Sequence, residues 1–131
     1  MKFFCKLEPS TKKVLEIRVI GDDVAGEDMS VQGEQYCANT YGGEWKQCSK
    51  DNSFRKWYPG KDWFYREDLD AFVAPQPYPS WTLDNETAGW VSPLGAAPAL
   101  TESELAAHKL YAWDEDAYQA DNTTGWVLVN A

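Results

Sequence analysis

The sequence is short of long apolar runs, of cations and of cysteine, and each shortage removes a class of protein. Nowhere in its 131 residues is there a stretch approaching the roughly 18 consecutive apolar residues of a membrane span. Near the N-terminus, Lys2-Phe-Phe-Cys-Lys6-Leu-Glu8 brings in charge before the apolar core of a secretory leader builds up, so synthesis in the cytoplasm is expected. Twelve Lys and Arg stand against 21 Asp and Glu, giving a net charge of −9. The few cations are scattered, and phosphate binding needs a basic face, so a nucleic-acid partner is not expected. Cys5, Cys37 and Cys48 are odd in number and lack C-x-x-C spacing, which argues against a disulfide framework and a zinc site. They read as reduced, buried structural residues. The aliphatic runs of a buried parallel sheet are missing as well.

What the chain has instead is aromatic surface: seven tryptophans, seven tyrosines and five phenylalanines. Many of them fall in a pattern written three times. Tyr65-Arg-Glu-Asp-Leu-Asp-Ala-Phe72-Val-Ala-Pro75 is followed by Trp81-Thr-Leu-Asp-Asn-Glu-Thr-Ala-Gly-Trp90-Val-Ser-Pro93. A longer copy runs from Tyr111-Ala-Trp113-Asp-Glu-Asp116 to Gly125-Trp126-Val-Leu-Val129. In each, an aromatic strand enters an acidic turn rich in residues that tolerate left-handed backbone, and a second aromatic followed by Val leads out. In the first two copies Val-x-Pro ends the return strand, because proline cannot donate to a ladder.

The remaining segments extend this pattern. Lys2 to Leu7 and Val14 to Ile20 predict an N-terminal antiparallel hairpin, the second strand alternating with β-branched residues. Glu27 to Tyr41 predicts a short helix burying Val31, Tyr36, Cys37 and Thr40, although Gly33 and Asn39 weaken it. Glu44 to Ser49 and Phe54 to Tyr58 read as a further hairpin. Ala74 to Pro79 is a stiff proline-rich spacer. Thr101-Glu-Ser-Glu104 has the form of a capping box that starts a short helix through His108 or Lys109, with Leu105, Ala106 and Leu110 as its buried side. The expectation is one mostly β domain over 1–131 with minor α. It has an N-terminal hairpin and short helix over 1–43 and aromatic hairpin repeats over 44–131, forming a meander of consecutive antiparallel hairpins with one or two short helices.

Little of this points to catalysis. His108 is the only histidine and lies in no recognisable triad context. The carboxylates at Asp22-Asp23, Glu67-Asp68, Asp70, Asp84-Asn-Glu86 and Asp114-Glu-Asp116 fall in predicted turns, where they bond to nearby amides. Two of these clusters offer oxygens of the kind calcium takes, but the loop spacing of an EF-hand is absent. No catalytic, cofactor or metal residue is assigned. The aromatics carry the functional question: Trp57, Trp63, Trp81, Trp90, Trp113 and Trp126 are the candidate contacts to a partner or a glycan. Matching places in successive copies favour a shared packing role, with surplus aromatic surface left for a neighbouring subunit.

With Trp45-Lys-Gln-Cys-Ser49, Phe54-Arg-Lys-Trp-Tyr-Pro-Gly60, Phe72-Val-Ala-Pro-Gln-Pro-Tyr-Pro-Ser-Trp81-Thr-Leu-Asp84 and Tyr111-Ala-Trp113-Asp-Glu115 in view, the chain resembles a family of small proteins. These are encoded by aquatic tailed bacteriophages, notably cyanophages. The resemblance covers roughly Trp45 to the C-terminus; Trp57, Trp63 and the longer helical insertion at 101–109 depart from it. It implies a virion or virion-associated protein and no catalytic residues. The expectation is a non-enzymatic structural component of a phage particle, first a capsid decoration or cement protein, then a neck, tail or fibre accessory. A glycan-binding module aiding adsorption is the alternative. The partners expected are other virion proteins, the major capsid or neck and tail subunits, or further copies in a homo-oligomer. No membrane partner is expected.

Overall fold

In a computed structural model that describes all residues 1–131, strands hold 31% of the chain and helices 19%, so the class is mostly β with minor α. The chain divides into two compact units, Met1–Pro75 with Asp84–Gly89, and Gln76–Leu83 with Trp90–Ala131.

The first unit is built around a three-stranded antiparallel sheet. Strands β1 (Lys2–Leu7) and β2 (Val14–Ile20) form the expected hairpin, pairing Lys2 with Ile20 and Leu7 with Val14 across a bulge at Lys6 and Leu7. On the other side of β1 lies β3 (Glu44–Cys48), with Phe3 opposite Cys48 and Leu7 opposite Glu44. Strand side chains alternate between faces, and β1 has a core on both. One side of the sheet packs Cys5, Leu7, Val14 and Cys48 with Tyr65 and Phe72, and the other packs Phe4 and Ile20 with Ala25, Cys37 and Trp45. The second group includes the short helices α1 (Asp22–Ala25) and α2 (Gln32–Tyr41). Against the first packs the hairpin of β4 (Phe64–Arg66) and β5 (Ala71–Val73), which sets Tyr65 opposite Phe72 as the first aromatic copy predicts.

Three expectations change in this unit. Helix α2 starts at Gln32, and Val31 and Thr40 are exposed while Cys37 is buried and Tyr36 half-buried. Gly33, a weak helix former by propensity, is there for space: a Cβ on it would lie 2.2 Å from Phe4 Cζ and 2.7 Å from the Ala25 carbonyl oxygen. Finally, Phe54 to Tyr58 is not the partner of β3. Arg55 and Lys56 take φ of 54° and 66°, a left-handed backbone that no extended strand accommodates, and β3 pairs with β1 instead.

The second and third aromatic copies also form hairpins. Strands β6 (Thr82–Asp84) and β7 (Gly89–Val91) pair, and Asp84 Oδ1 accepts from the amides of Glu86 at 2.8 Å and Thr87 at 3.3 Å, which is the Asx chemistry expected of that turn. In the second unit the capping box holds as read. Thr101 and Glu104 bond reciprocally at 2.7 and 3.2 Å to open α3 (Glu102–Ala106). The buried side expected for that helix does not form. Leu105, Ala106 and Leu110 are exposed, because His108 takes φ 56° and ends the helix after little more than a turn. Leu110 belongs to the next strand.

That strand, β8 (Lys109–Trp113), pairs with β9 (Trp126–Asn130) in antiparallel register, Trp113 opposite Trp126 and Tyr111 opposite Leu128. The acidic run between them does more than turn. Asp114 accepts from the Ala117 amide at 2.9 Å and caps α4 (Glu115–Ala120), whose first turn carries Glu115 and Asp116 where the helix dipole favours them.

Candidate functional site: an indole cluster in the second unit

Three tryptophans from two hairpin copies meet edge to face. Ring centroids are 5.7 Å apart for Trp81 and Trp113, 6.0 Å for Trp81 and Trp126, and 5.3 Å for Trp113 and Trp126. All three pairs are T-shaped, the arrangement that sets the positive edge of one ring on the negative face of the next. Register explains part of this, since Trp113 and Trp126 are cross-strand partners on one face of the β8–β9 ribbon. Gly125 is required beside them, because a Cβ there would come within 2.5 Å of the Trp113 ring. Tyr78 and Tyr118 close the cluster against Trp81 and Trp113.

Polar contacts hold the indoles in place. Glu115 accepts from Trp113 Nε1 at 2.9 Å and from the Ser80 hydroxyl at 2.6 Å. These bonds, Ser80 first, lower the carboxyl's pKa below its ordinary value. Trp126 Nε1 donates to the Gly95 carbonyl at 3.1 Å, which also accepts from the Ser92 hydroxyl. Trp81 differs: its Nε1 is buried and finds no acceptor in the protein. A buried donor left unmade costs about 1–3 kcal/mol, so this atom needs an explanation. Next to the cluster is a cleft of about 290 Å³ walled by Trp81, Trp90 and Trp126 with Ser92, Ala96 and Ala97 among its lining.

The six candidate tryptophans thus separate. Trp81, Trp113 and Trp126 converge, Trp113 buried at 8% exposure, and Trp90 joins Trp81 and Trp126 at the cleft. Trp57 and Trp63 belong to the first unit. Trp57 is 39% exposed and donates to the Thr87 carbonyl at 2.9 Å. Trp63 is partly buried against the Phe72 core cluster. Trp63, Trp81, Trp113 and Trp126 thus pack against other rings or a core, and Trp81, Trp90 and Trp126 line the cleft.

The first unit contains a polar cluster that sequence reading missed. Arg55 is buried, with Nε donating to Asp70 Oδ1 at 2.9 Å and Nη1 to the Gln47 carbonyl at 2.9 Å, and Glu34 lies 3.8 Å away. The Tyr65 hydroxyl donates to the same Asp70 oxygen at 2.6 Å. Burial alone would raise the Asp70 pKa, but the bonds from Tyr65 and Arg55 outweigh it and hold it low. The same surroundings, burial first and then Asp70, push the Tyr65 phenol up. The arrangement pins the 54–58 segment to β3 and to the β4–β5 turn. A charged residue in a predicted strand gave no signal for this.

The other candidates stay apart. His108 is exposed at the end of α3. No group of three or more His, Cys, Asp or Glu gathers into a set that would hold a metal ion. All three cysteines are free and buried, and Cys5 and Cys48 lie with sulfurs 3.4 Å apart across β1 and β3. The Cys5 thiol is pushed far up by its contact with Cys48 and by burial.

No protein-family model, curated protein or solved structure matches the chain. Function therefore has to be argued from the chemistry of these surfaces.

Proposed function

We propose that the protein is a non-catalytic structural component of a tailed-phage particle, acting first as a capsid decoration protein that fills a seam between shell subunits. A place at the neck, tail or fibre is the next choice. The observation that carries this reading is the β8–β9 ribbon. One face presents Leu110, Ala112, Val127 and Val129, and the other presents Tyr111 and Leu128 beside the indole pair. Leu110 and Leu128 are 39% and 43% exposed, and Val91, Leu94 and Leu105 add further exposed apolar surface in the same unit. A ribbon apolar on both faces is marginal alone and gains stability when a partner covers it.

Its outer edge supports the same reading. The backbone bonds from Asp114 N to Gly125 O and from Ala131 N to His108 O mark the bonded positions of the ladder. Trp126, Leu128 and Asn130 consequently turn their amides and carbonyls away from β8, and no further strand pairs there. An unpaired apolar edge is a template for another chain. The resemblance of the Trp45 to C-terminus region to phage proteins points to virion subunits as that chain, and an adhesive without chemistry needs only buried area.

Immunogold labelling of purified phage particles, with antibody raised against the recombinant protein, tests the proposal. Even label over the head is the expected result. Label at one vertex or along the tail moves the protein to the neck or tail, and protein found only in the lysate of infected cells removes it from the particle.

A further inference from the structure

We propose that Cys5 and Cys48 are a latent cross-link, two reduced thiols that a peroxide converts into one disulfide tying β1 to β3. Both side chains are buried, and their sulfurs lie 3.4 Å apart with the Cys5 thiol donating to Cys48. Register puts them there. Phe3 stands opposite Cys48 and Cys5 opposite Lys46, so the two cysteines are diagonal neighbours on one face of adjacent strands. A disulfide holds its sulfurs about 2.05 Å apart, so closing the 3.4 Å gap asks for a movement of about 1.4 Å. Cys37 does not compete, because it lies on the opposite face of the sheet, in the core with Phe4 and Trp45.

The two thiols differ in access. Cys48 lines a polar cleft of about 430 Å³ with Lys2, Phe3, Ser49 and Lys50, whereas Cys5 is not part of that wall. Hydrogen peroxide is small enough to enter the cleft. It transfers one oxygen atom to the Cys48 sulfur, giving sulfenic acid and water; the Cys5 sulfur then attacks the Cys48 sulfur, the S–O bond breaks and a second water leaves. Both thiol protons end in water, and the two electrons lost by the sulfur pair reduce the peroxide. Speed is set by the thiolate, the reactive form. Contact with Cys48 and burial keep the Cys5 thiol protonated, so closure is slow and needs long exposure to oxidant. Once formed, the bond closes a loop from Cys5 to Cys48 that carries β2, α1 and α2, and restricts the unfolded chain. Under the proposed function the particle leaves a reducing cytoplasm for an oxidising medium, and the bond forms after assembly; the placement of the sulfurs holds with or without that reading.

The test incubates the dilute, folded full chain with hydrogen peroxide, removes the oxidant, unfolds the protein with iodoacetamide present and digests it without reductant. Cleavage after Lys2, Lys6, Lys13, Lys46 and Lys50 leaves each cysteine on its own peptide. The expected result is an intact mass lower by two hydrogen atoms before alkylation, one linked species joining the Cys5 and Cys48 peptides, and an alkylated Cys37. Dithiothreitol reverses the link. The oxidised chain melts higher than the reduced one by about 5 °C or more, and Cys48→Ser, or in a second variant Cys5→Ser, removes both the link and the shift. Three alkylated cysteines after the peroxide treatment overturn the proposal. So do sulfinic or sulfonic acid at Cys48 without a link, a link through Cys37, or links only between molecules. The peptide map is read on the unaltered protein, so it decides even where a serine variant fails to fold.

Discussion

The two units bury aromatic residues in different ways. In the first, Phe4 and Phe72 are fully enclosed and sit in cores on opposite faces of one sheet, with Leu7, Val14, Cys5, Cys37 and Cys48 around them. In the second, Trp113 is the single buried hydrophobic side chain, and the other large apolar groups are half-buried or exposed. The first unit is held by enclosure on both faces of a sheet. The second is held by three edge-to-face indoles, a capping box and an N-cap, each a local device. Enclosure needs several layers of chain, whereas indole pairs stabilise hairpins too short to have an inside, and they leave apolar surface exposed.

The largest test of this contrast is Phe72→Ala. Emptying a fully enclosed site costs about 4 kcal/mol, and denaturant titration should show the first unit losing cooperative unfolding. If tryptophan signals from the second unit moved down to the lowered midpoint of the first unit in the variant, the two ways of burial would not be independent. Alkali should act on the same side of the comparison. The groups raised by burial include Cys37, pushed up to about 11 from 9.0, with Tyr65 and Tyr58, and Cys5 is raised by its contact with Cys48 and then by burial; all lie in the first unit. Between those two values the unfolded Cys37 thiol ionises and the folded one does not, so the unfolded state binds fewer protons and stability falls as pH rises. Hydrogen exchange or chemical denaturation across that window should register a loss in β1, β3 and α2.

Gly125→Ala probes the second unit. The added methyl meets the Trp113 ring at 2.5 Å, and overpacking of this kind costs about 2 kcal/mol, visible as loss of near-ultraviolet circular dichroism from the indole pairs. Thr101→Ala removes half of the capping box for about 1 kcal/mol, and amide exchange should show it only around α3. Leu128→Thr is the smallest change: at an exposed site it should move stability by no more than about 0.5 kcal/mol. Under the proposed function its effect belongs to binding, and retention of full affinity for phage particles would argue against the β8–β9 ribbon as the attachment face.

The hairpins were legible because their determinants are local. Aromatic alternation and Asp, Asn and Gly turns lie within a dozen residues of each other, and the three copies each became a paired ribbon. What was not legible depends on distant chain. The partner of β3 is β1, some forty residues earlier, and the rival partner at Phe54 to Tyr58 is disqualified by left-handed backbone at Arg55 and Lys56 that side-chain type does not reveal. Arg55 reads as a surface cation until Asp70, Gln47 and Glu34 are brought to it. At Asp114 to Asp116 the composition fits a turn and a helix start equally well, and Thr124, whose hydroxyl donates to the Ala117 carbonyl at 3.0 Å, helps fasten the helical outcome. The indole cluster was half visible. Equivalent places in the copies identified Trp81, Trp90, Trp113 and Trp126, but only the fold shows that Trp81, Trp113 and Trp126 stack on one another while Trp81, Trp90 and Trp126 line a cleft.

The way the chain is shared between its units bears on how it can be cut. The backbone leaves the first unit after Pro75, returns at Asp84 and leaves again after Gly89. The shortest continuous segment holding the whole first unit therefore runs from Met1 to Gly89 and carries Gln76–Leu83, with Trp81, away from the second. A nick after Pro75, in the exposed proline stretch, would split the first unit and leave all of the second on the C-terminal fragment, together with Asp84–Gly89. Neither unit can be expressed intact as its own uninterrupted piece without taking sequence from the other.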